Sequence, residues 1–116
     1  MKKIYHLSTC STNQKILQEV NAVKKKAVLQ DIKTTPITAE QIDEMKKLAG
    51  SYEALFSRKA IKYRTMGLGE KNLTEKDYRS LILEEYTFLK RPVAIVGEHI
   101  YIGNTKAAVE ALKNAL

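Results

Sequence analysis

Cys10 is the only cysteine among 116 residues, and it lies in the stretch LSTCSTNQKIL, residues 7–17. A helix-like apolar pattern follows it at once, so a helix beginning at Ser11 or Thr12 would leave unpaired backbone N–H groups beside the sulfur. These groups and the positive end of the helix dipole favour the reactive thiolate over the thiol. The same groups can hold an oxyanion. The pattern therefore predicts a nucleophilic thiolate next to an anion site at Ser11, Thr12 and Asn13.

A lone cysteine can instead be a small buried apolar residue, and the sequence leaves this alternative open. The polar neighbours of Cys10 favour a loop position over a core position. If the thiol is a nucleophile, its surroundings in the sequence restrict the mechanisms available to it.

Spacing excludes several mechanisms for this thiol. A single cysteine forms no internal disulfide, and no Cys and His cluster has the spacing of zinc ligands. A phosphatase-type anion loop needs an arginine six residues beyond the cysteine, where this chain has Ile16, and a dithiol motif needs a second cysteine at Asn13. We therefore expect no bound cofactor or metal, and an external thiol such as glutathione or glutaredoxin as the resolving partner.

The net charge of +7 fits a small anionic substrate or an acidic protein partner. It does not predict direct nucleic-acid binding, because the lysines are scattered apart from Lys24 to Lys26 and no basic helix carries interleaved aromatic residues. No apolar run approaches the roughly 20 residues that span a bilayer, and the N-terminus lacks a signal-peptide core. These features predict a cytoplasmic protein without a membrane partner.

The elements around the thiol read as strand, helix, strand. Residues 2–8 favour a strand and residues 27–33 alternate as a second strand, so a βαβ unit with parallel strands is expected. Between them, four apolar residues at helical spacing predict one buried helix face: Ile16, Leu17, Val20 and Val23.

The middle third reads as helical and the last third as a hairpin followed by a helix. Thr38 with Gln41 and Thr74 with Asp77 are helix starts, and Gly50 is a helix end. Residues 67–73 read as a loop, and VAIVGEHIYIG, residues 93–103, predicts a β-hairpin before a final helix capped by Asn or Thr. This order predicts an α/β, thioredoxin-like fold with a four-stranded mixed sheet. We expect a single domain over residues 1–116, with a helical insertion at about 37–89.

Three stretches in the same order, YHLSTCSTNQKIL, LFSRKAIKYRTMGL and LKRPVAIVG, together resemble the arsenate reductase (ArsC) family of thioredoxin-fold proteins. That family includes the Spx-type transcriptional regulators. The resemblance implies that Cys10 is the catalytic nucleophile, that Arg58 and Arg91 bind the oxyanion, and that Pro92 is a cis-proline facing the thiol. It also implies a supporting role for His6, whose imidazolium would further favour the thiolate. A strand histidine packed against a helix is the alternative for His6.

The sequence departs from the arsenate-reducing pattern at one position. Those members carry a further arginine after the hairpin, where this chain has Gly103 or Asn104, and Lys106 could replace it only in part. Two functions follow from the resemblance. The first is a thiol-dependent oxidoreductase acting on arsenate, another oxyanion or a glutathione mixed disulfide. The second is an Spx-like redox-responsive regulator that binds RNA polymerase, although Asn13 removes the second cysteine of its usual switch.

Overall fold

The computed structural model describes all 116 residues, which divide into two compact units. The first unit comprises Met1–Pro36 and Arg91–Leu116, and the second comprises Ile37–Lys90. The first unit contains β1 (Lys2–His6), α1 (Ser11–Glu19), β2 (Val28–Asp31), β3 (Val93–Val96), β4 (His99–Ile102) and α5 (Lys106–Ala115). The second contains α2 (Ala39–Ala49), α3 (Ile61–Thr65), α4 (Glu75–Glu84) and three short 3₁₀ turns at Glu53–Leu55, Leu68–Glu70 and Tyr86–Phe88.

The four strands form one mixed sheet in the order β2-β1-β3-β4. β1 and β2 are parallel, while β3 is antiparallel to both β1 and β4. This confirms the predicted four-stranded mixed sheet. The hairpin turns at Gly97, whose φ of 62° lies in the left-handed region that glycine adopts without strain.

One core in the first unit joins the two helices to the central strands. Ile4 on β1 and Ala94 on β3 are register partners and both are fully buried. The apolar faces of α1 and α5 pack against them, and the cluster consists of Ile4, Ile16, Leu17, Val20, Ala22, Ala94, Val109 and Leu112. Burial of these side chains stabilises the strand and helix whose junction carries Cys10.

The prediction that Val23 belongs to the buried apolar face of α1 is wrong. Ile16, Leu17 and Val20 are buried, but Val23 is 77% exposed. The helix ends at Glu19, and Asn21 follows with a left-handed φ of 56°, so the chain leaves the helical path before Val23. Periodicity alone did not indicate this early end.

The second unit contains two helices with capping boxes and a cluster of aromatic rings. The predicted starts of α2 and α4 are confirmed, since Thr38 and Thr74 each form a complete capping box. Gly50, with a φ of 96°, ends α2 as predicted. The loop predicted at residues 67–73 instead contains a 3₁₀ turn. Phe56 is fully buried and its ring contacts those of Tyr63, Tyr78 and Phe88.

No helix in the structure is both long enough and apolar enough to cross a membrane.

Candidate thiol site

Several of the predicted site residues meet at one edge of the sheet. Tyr5 near the end of β1 pairs with Val93 at the start of β3, and Val93 pairs with Ile102 at the end of β4. The end of β2 lies at the same edge, because Asp31 pairs with His6. The segments that follow β1, β2 and β4 and the segment that precedes β3 therefore leave the sheet together. They carry Cys10, Arg91, Pro92 and the Gly103–Asn104 loop.

Cys10 is the N-cap residue of α1. Its extended backbone, with φ −95° and ψ 112°, turns the chain into the helix, and its carbonyl accepts the first helical hydrogen bond, from the Gln14 N–H at 3.1 Å. The Cys10 N–H donates to the Leu7 carbonyl at 3.1 Å, which closes a tight turn. The side chain is partly exposed. Cys10 therefore lies at the helix start that the sequence predicted, within reach of solvent.

The turn before Cys10 is held by three side chains, two from α1 and one from β2. The Leu7 N–H donates to Asn13 Oδ1 at 3.0 Å, and the Ser8 N–H donates to Asp31 Oδ1 at 3.2 Å. Gln14 Nε2 donates to the Ser8 carbonyl at 3.3 Å. Because α1 and β2 both bond to this turn, the position of the cysteine backbone is fixed by elements of the fold.

Asp31 is a site-positioning residue that the sequence analysis missed. Its carboxylate also accepts the Lys33 N–H at 3.2 Å, an Asx turn that ends β2 earlier than the predicted residue 33. Hydrogen bonding by Ser8 is the main cause that lowers the pKa of Asp31 below its ordinary value. The local signal was an aspartate at a strand end with two threonines three and four residues later, but its partner Ser8 is 23 residues away.

We expect Asp31→Asn to lower the free energy of unfolding by roughly 0.5–1 kcal/mol at pH 7, a modest loss because the bonds are solvent-exposed. The lowered pKa means that this contribution is complete above the ordinary value of 3.8 and is lost as the pH falls through the folded-state value. Urea unfolding of both proteins at pH 7 and at decreasing acidic pH measures the difference, which should shrink on acidification. A difference that stays constant with pH would contradict the ionic contribution.

Ser11 and Thr12 are the first two residues of α1 and both are exposed. Their N–H groups belong to the helical turn that lacks intrahelical partners. Thr12 also lines an open groove of about 730 Å³, together with Lys15 of the same helix and with Asn104 and Lys106 from the segment after β4. Lys106 therefore borders the same groove as the first turn of α1.

His6 is buried, with 8% of its surface exposed, and its Nδ1 atom has no hydrogen-bond partner. Burial lowers the pKa of His6, and the nearby charge of Asp31 opposes this effect only in part. Burial of the ring therefore works against the imidazolium that the resemblance implied.

Arg91 and Pro92 lead into β3 at the same edge of the sheet. The peptide bond between them is cis, as the resemblance implied. Arg91 is half-buried, and the Pro92 carbonyl accepts the Gly103 N–H at 2.9 Å. Gly103 has a φ of 88°, a conformation that residues with side chains rarely adopt. The segment after β4 is therefore bonded directly to the cis-proline.

Arg58 belongs to the second unit, where it has partners of its own. Its Nη2 atom donates to Glu53 Oε2 at 2.7 Å and to the Tyr78 hydroxyl at 3.0 Å, and the guanidinium lies 5.8 Å from the Tyr78 ring centre. The hydrogen bond to Glu53 raises the pKa of Arg58. The side chain is still 48% exposed and borders a recess of about 430 Å³ with Lys59, Tyr63 and Arg64.

The structure contains no group of three or more His, Cys, Asp or Glu side chains that could hold a metal ion. The chemical groups that this edge of the sheet offers are a partly exposed cysteine thiol, helix N–H donors and a guanidinium.

A mixed β2-β1-β3-β4 sheet, with a cysteine at the start of the first helix and a cis-proline before β3, defines a thioredoxin-like protein. The ArsC family model matches residues 5–112, and the chain belongs to the ArsC family.

Solved structures show the same fold at low sequence identity. An arsenate reductase from Vibrio cholerae is 17% identical with a TM-score of 0.80, and the match covers 99% of this chain and 97% of that one. A protein titled as a candidate arsenate reductase from Yersinia pestis is 20% identical with a TM-score of 0.80 and coverage of 97% and 99%. An arsenate reductase (ArsC) related protein from Brucella melitensis is 24% identical with a TM-score of 0.73 and coverage of 95% and 92%. No curated protein sequence matches the chain significantly.

Proposed function

We propose that this ArsC-family protein is a thiol-dependent reductase of an oxyanion, with arsenate as the first substrate to test. Cys10 is the nucleophile, and an external thiol of the glutathione or glutaredoxin type is the resolving partner. The observation that carries the proposal is the position of the partly exposed Cys10 as the N-cap of α1, at the sheet edge that also carries Arg91 and cis-Pro92. Family membership supports the same assignment.

The anion is held by backbone and guanidinium donors. The N–H groups of Ser11, Thr12 and Asn13 lie in the first turn of α1, where backbone donors and the helix dipole attract negative charge. Arg91 supplies a charge-assisted contact, which is stronger than a neutral hydrogen bond. We assign Arg58 to the same task on the family resemblance alone.

The reaction takes place in three thiol steps. The Cys10 thiolate attacks arsenic in arsenate, a sulfur–arsenic bond forms, and one oxygen leaves as water after protonation. An external thiolate then attacks Cys10 Sγ. The sulfur–arsenic bond breaks with its electron pair on arsenic, so that As(V) becomes As(III) and leaves as arsenite, and Cys10 is left in a mixed disulfide. A second external thiolate releases the Cys10 thiolate and forms the donor disulfide. Two thiols supply the two electrons.

The cis-proline segment and the groove complete the assignment. Pro92 is proposed to face the thiol, and His6 is proposed as a supporting group. Lys106 and Lys15 border the groove with Thr12, so they place positive charge beside the first turn of α1. This charge compensates in part for the family arginine that is absent at Gly103 and Asn104.

The test is arsenite production from arsenate with glutathione and glutaredoxin as donors. We expect activity in the wild type and a loss of about 10- to 100-fold in kcat/KM for Arg91→Ala, because a charge-assisted contact to the transition state is removed. Arg64→Ala is the matched control. It removes one exposed arginine charge from α3 and should change kcat/KM by less than about twofold.

Absence of wild-type activity with arsenate and with glutathione mixed disulfides would contradict the proposal. If purified RNA polymerase then bound the protein, the Spx-like regulator would be the correct function. Equal effects of Arg91→Ala and Arg64→Ala would remove Arg91 from the anion site.

A further inference from the structure

We propose that the side-chain amide of Asn13 is a positioning group for the Cys10 sulfur, which it holds as a hydrogen-bond acceptor and stabilises as a thiolate. The relevance of this role to turnover rests on the proposed function, in which that thiolate is the nucleophile. The role differs from the contribution assigned above to Asn13, which concerned its backbone N–H.

The first observation is the burial of Asn13. It is 1% exposed and is one of the largest fully buried side chains of the molecule, although it lies only three residues after a partly exposed cysteine. A carboxamide removed from water needs hydrogen-bond partners, because an unpaired polar group in the interior is costly. Asn13 has two such partners, one for each end of its amide group.

The second observation fixes which end faces the sulfur. Asn13 Oδ1 accepts the buried Leu7 N–H at 3.0 Å. The opposite orientation of the amide would place its NH₂ group against the Leu7 N–H, and neither of these two donors would then have an acceptor. The Leu7 N–H therefore requires the oxygen on its side, so Nδ2 is directed at Cys10 Sγ, 3.5 Å away.

The third observation is that no backbone N–H of the first turn of α1 donates to Cys10 Sγ in place of the Asn13 amide. Cys10 is the N-cap residue, but its side chain makes no capping hydrogen bond with the first turn of α1. The amide of Asn13 instead donates to Sγ. A thiolate accepts an N–H more strongly than a thiol does, so this bond favours the charged sulfur.

These contacts explain why an asparagine is suited to the position that holds the second cysteine in dithiol motifs. Asn13 supplies an N–H donor to the sulfur where a second thiol would supply a disulfide partner. In the proposed reaction it prepares the thiolate for attack and receives it again when the mixed disulfide is released.

The test compares two isosteric amide-to-carboxylate changes. Asn13→Asp keeps an oxygen for the Leu7 N–H but replaces the donor that faces Sγ with an acceptor. Gln14→Glu adds the same charge at the next residue and gives up the bond from Gln14 Nε2 to the Ser8 carbonyl, so it controls both for the added charge and for a loosened turn. The readout is the rate of Cys10 alkylation by uncharged iodoacetamide as a function of pH, with the fold checked by circular dichroism.

We expect Asn13→Asp to raise the pH midpoint of alkylation by about one unit and to slow alkylation at pH 7 about tenfold. Gln14→Glu should raise the midpoint by less than about a third of that amount. Equal shifts in the two variants would mean that charge alone is responsible and would overturn the proposal, as would a wild-type profile in Asn13→Asp.

A second measurement needs no variant and covers the case in which Asn13→Asp does not fold. Side-chain NH₂ resonances of Asn13 in the wild type, followed by NMR, should move with the same pH midpoint as alkylation, while those of Gln14 stay constant. Asn13 resonances that do not follow the thiol would contradict the proposal. Because neither readout involves arsenate, a protein that shows both shifts but reduces no oxyanion would retain the role of Asn13 and lose the proposed function.

Discussion

Replacement of Cys10 by serine should abolish arsenate reduction, with a loss of at least about a thousandfold in kcat. The serine hydroxyl stays protonated at neutral pH and cannot form the sulfur–arsenic bond or the mixed disulfide. The same change should leave the free energy of unfolding unchanged or raise it by about 0.5–1 kcal/mol, because serine is a preferred N-cap residue. Cys10 makes no capping hydrogen bond from its side chain, so no existing cap is lost. Arsenite production and urea unfolding measure the two effects.

Cys10→Ala is the matched control for this prediction. It should lose activity to the same extent but should show no gain in stability, because alanine cannot accept a hydrogen bond from the first turn of α1. Residual turnover of a tenth of the wild-type rate in either variant would exclude Cys10 as the nucleophile. A large fall in stability for Cys10→Ser would indicate that the thiol mainly fills space, which is the alternative that the sequence left open.

Phe56→Ala should destabilise the second unit by about 3–5 kcal/mol, the range for removing a fully buried aromatic side chain. Phe56 is fully buried and stacks on Phe88 with ring centres 5.1 Å apart, and its ring centre lies 4.8 Å from that of Tyr78. Hydrogen exchange provides a local measurement. The Ser57 N–H donates to the Phe88 carbonyl at 2.7 Å and the Lys90 N–H to the Leu55 carbonyl at 2.8 Å, so both amides should exchange faster.

Ile61→Ala is the control for Phe56→Ala. Ile61 is 79% exposed on α3, and its truncation should change stability by less than about 0.5 kcal/mol. If Phe56→Ala cost no more than Ile61→Ala, the aromatic cluster would not be the core of the second unit. Tyr78 contacts both Phe56 and Arg58. Loss of the Phe56 ring would therefore also disturb the surroundings of Arg58, one of the proposed anion ligands.

Local signals predicted the starts of α2 and α4, the end of α2 and the hairpin, because the residues that form each of them lie within a few positions of one another. The capping boxes at Thr38 and Thr74 each join residues three positions apart, and Gly50 and Gly97 each lie at the turn that needs their backbone freedom. The mixed sheet followed from the order of these elements, since a βαβ unit and a hairpin permit few arrangements of four strands.

Contacts between distant residues were not predictable in the same way. The Ser8–Asp31 bond that holds the thiol turn spans 23 residues, and the Arg58–Tyr78 bond spans 20. The roles of Arg58, Arg91 and Pro92 came from family resemblance. The two side-chain contacts of Asn13 were not predicted for another reason. An asparagine in the first turn of a helix is usually interpreted as a solvent-exposed polar residue.

The left-handed backbone of Gly103 also limits how the proposed anion site could be altered. An arginine at that position would have to adopt a φ of 88°, so a single substitution there would carry a penalty in folding along with the new cation. Asn104 is exposed, borders the same groove as Thr12 and is not among the residues with positive φ. An arginine can therefore be introduced at Asn104 without this backbone penalty. Asn104 is the position at which we would add a positive charge to strengthen oxyanion binding at the proposed site.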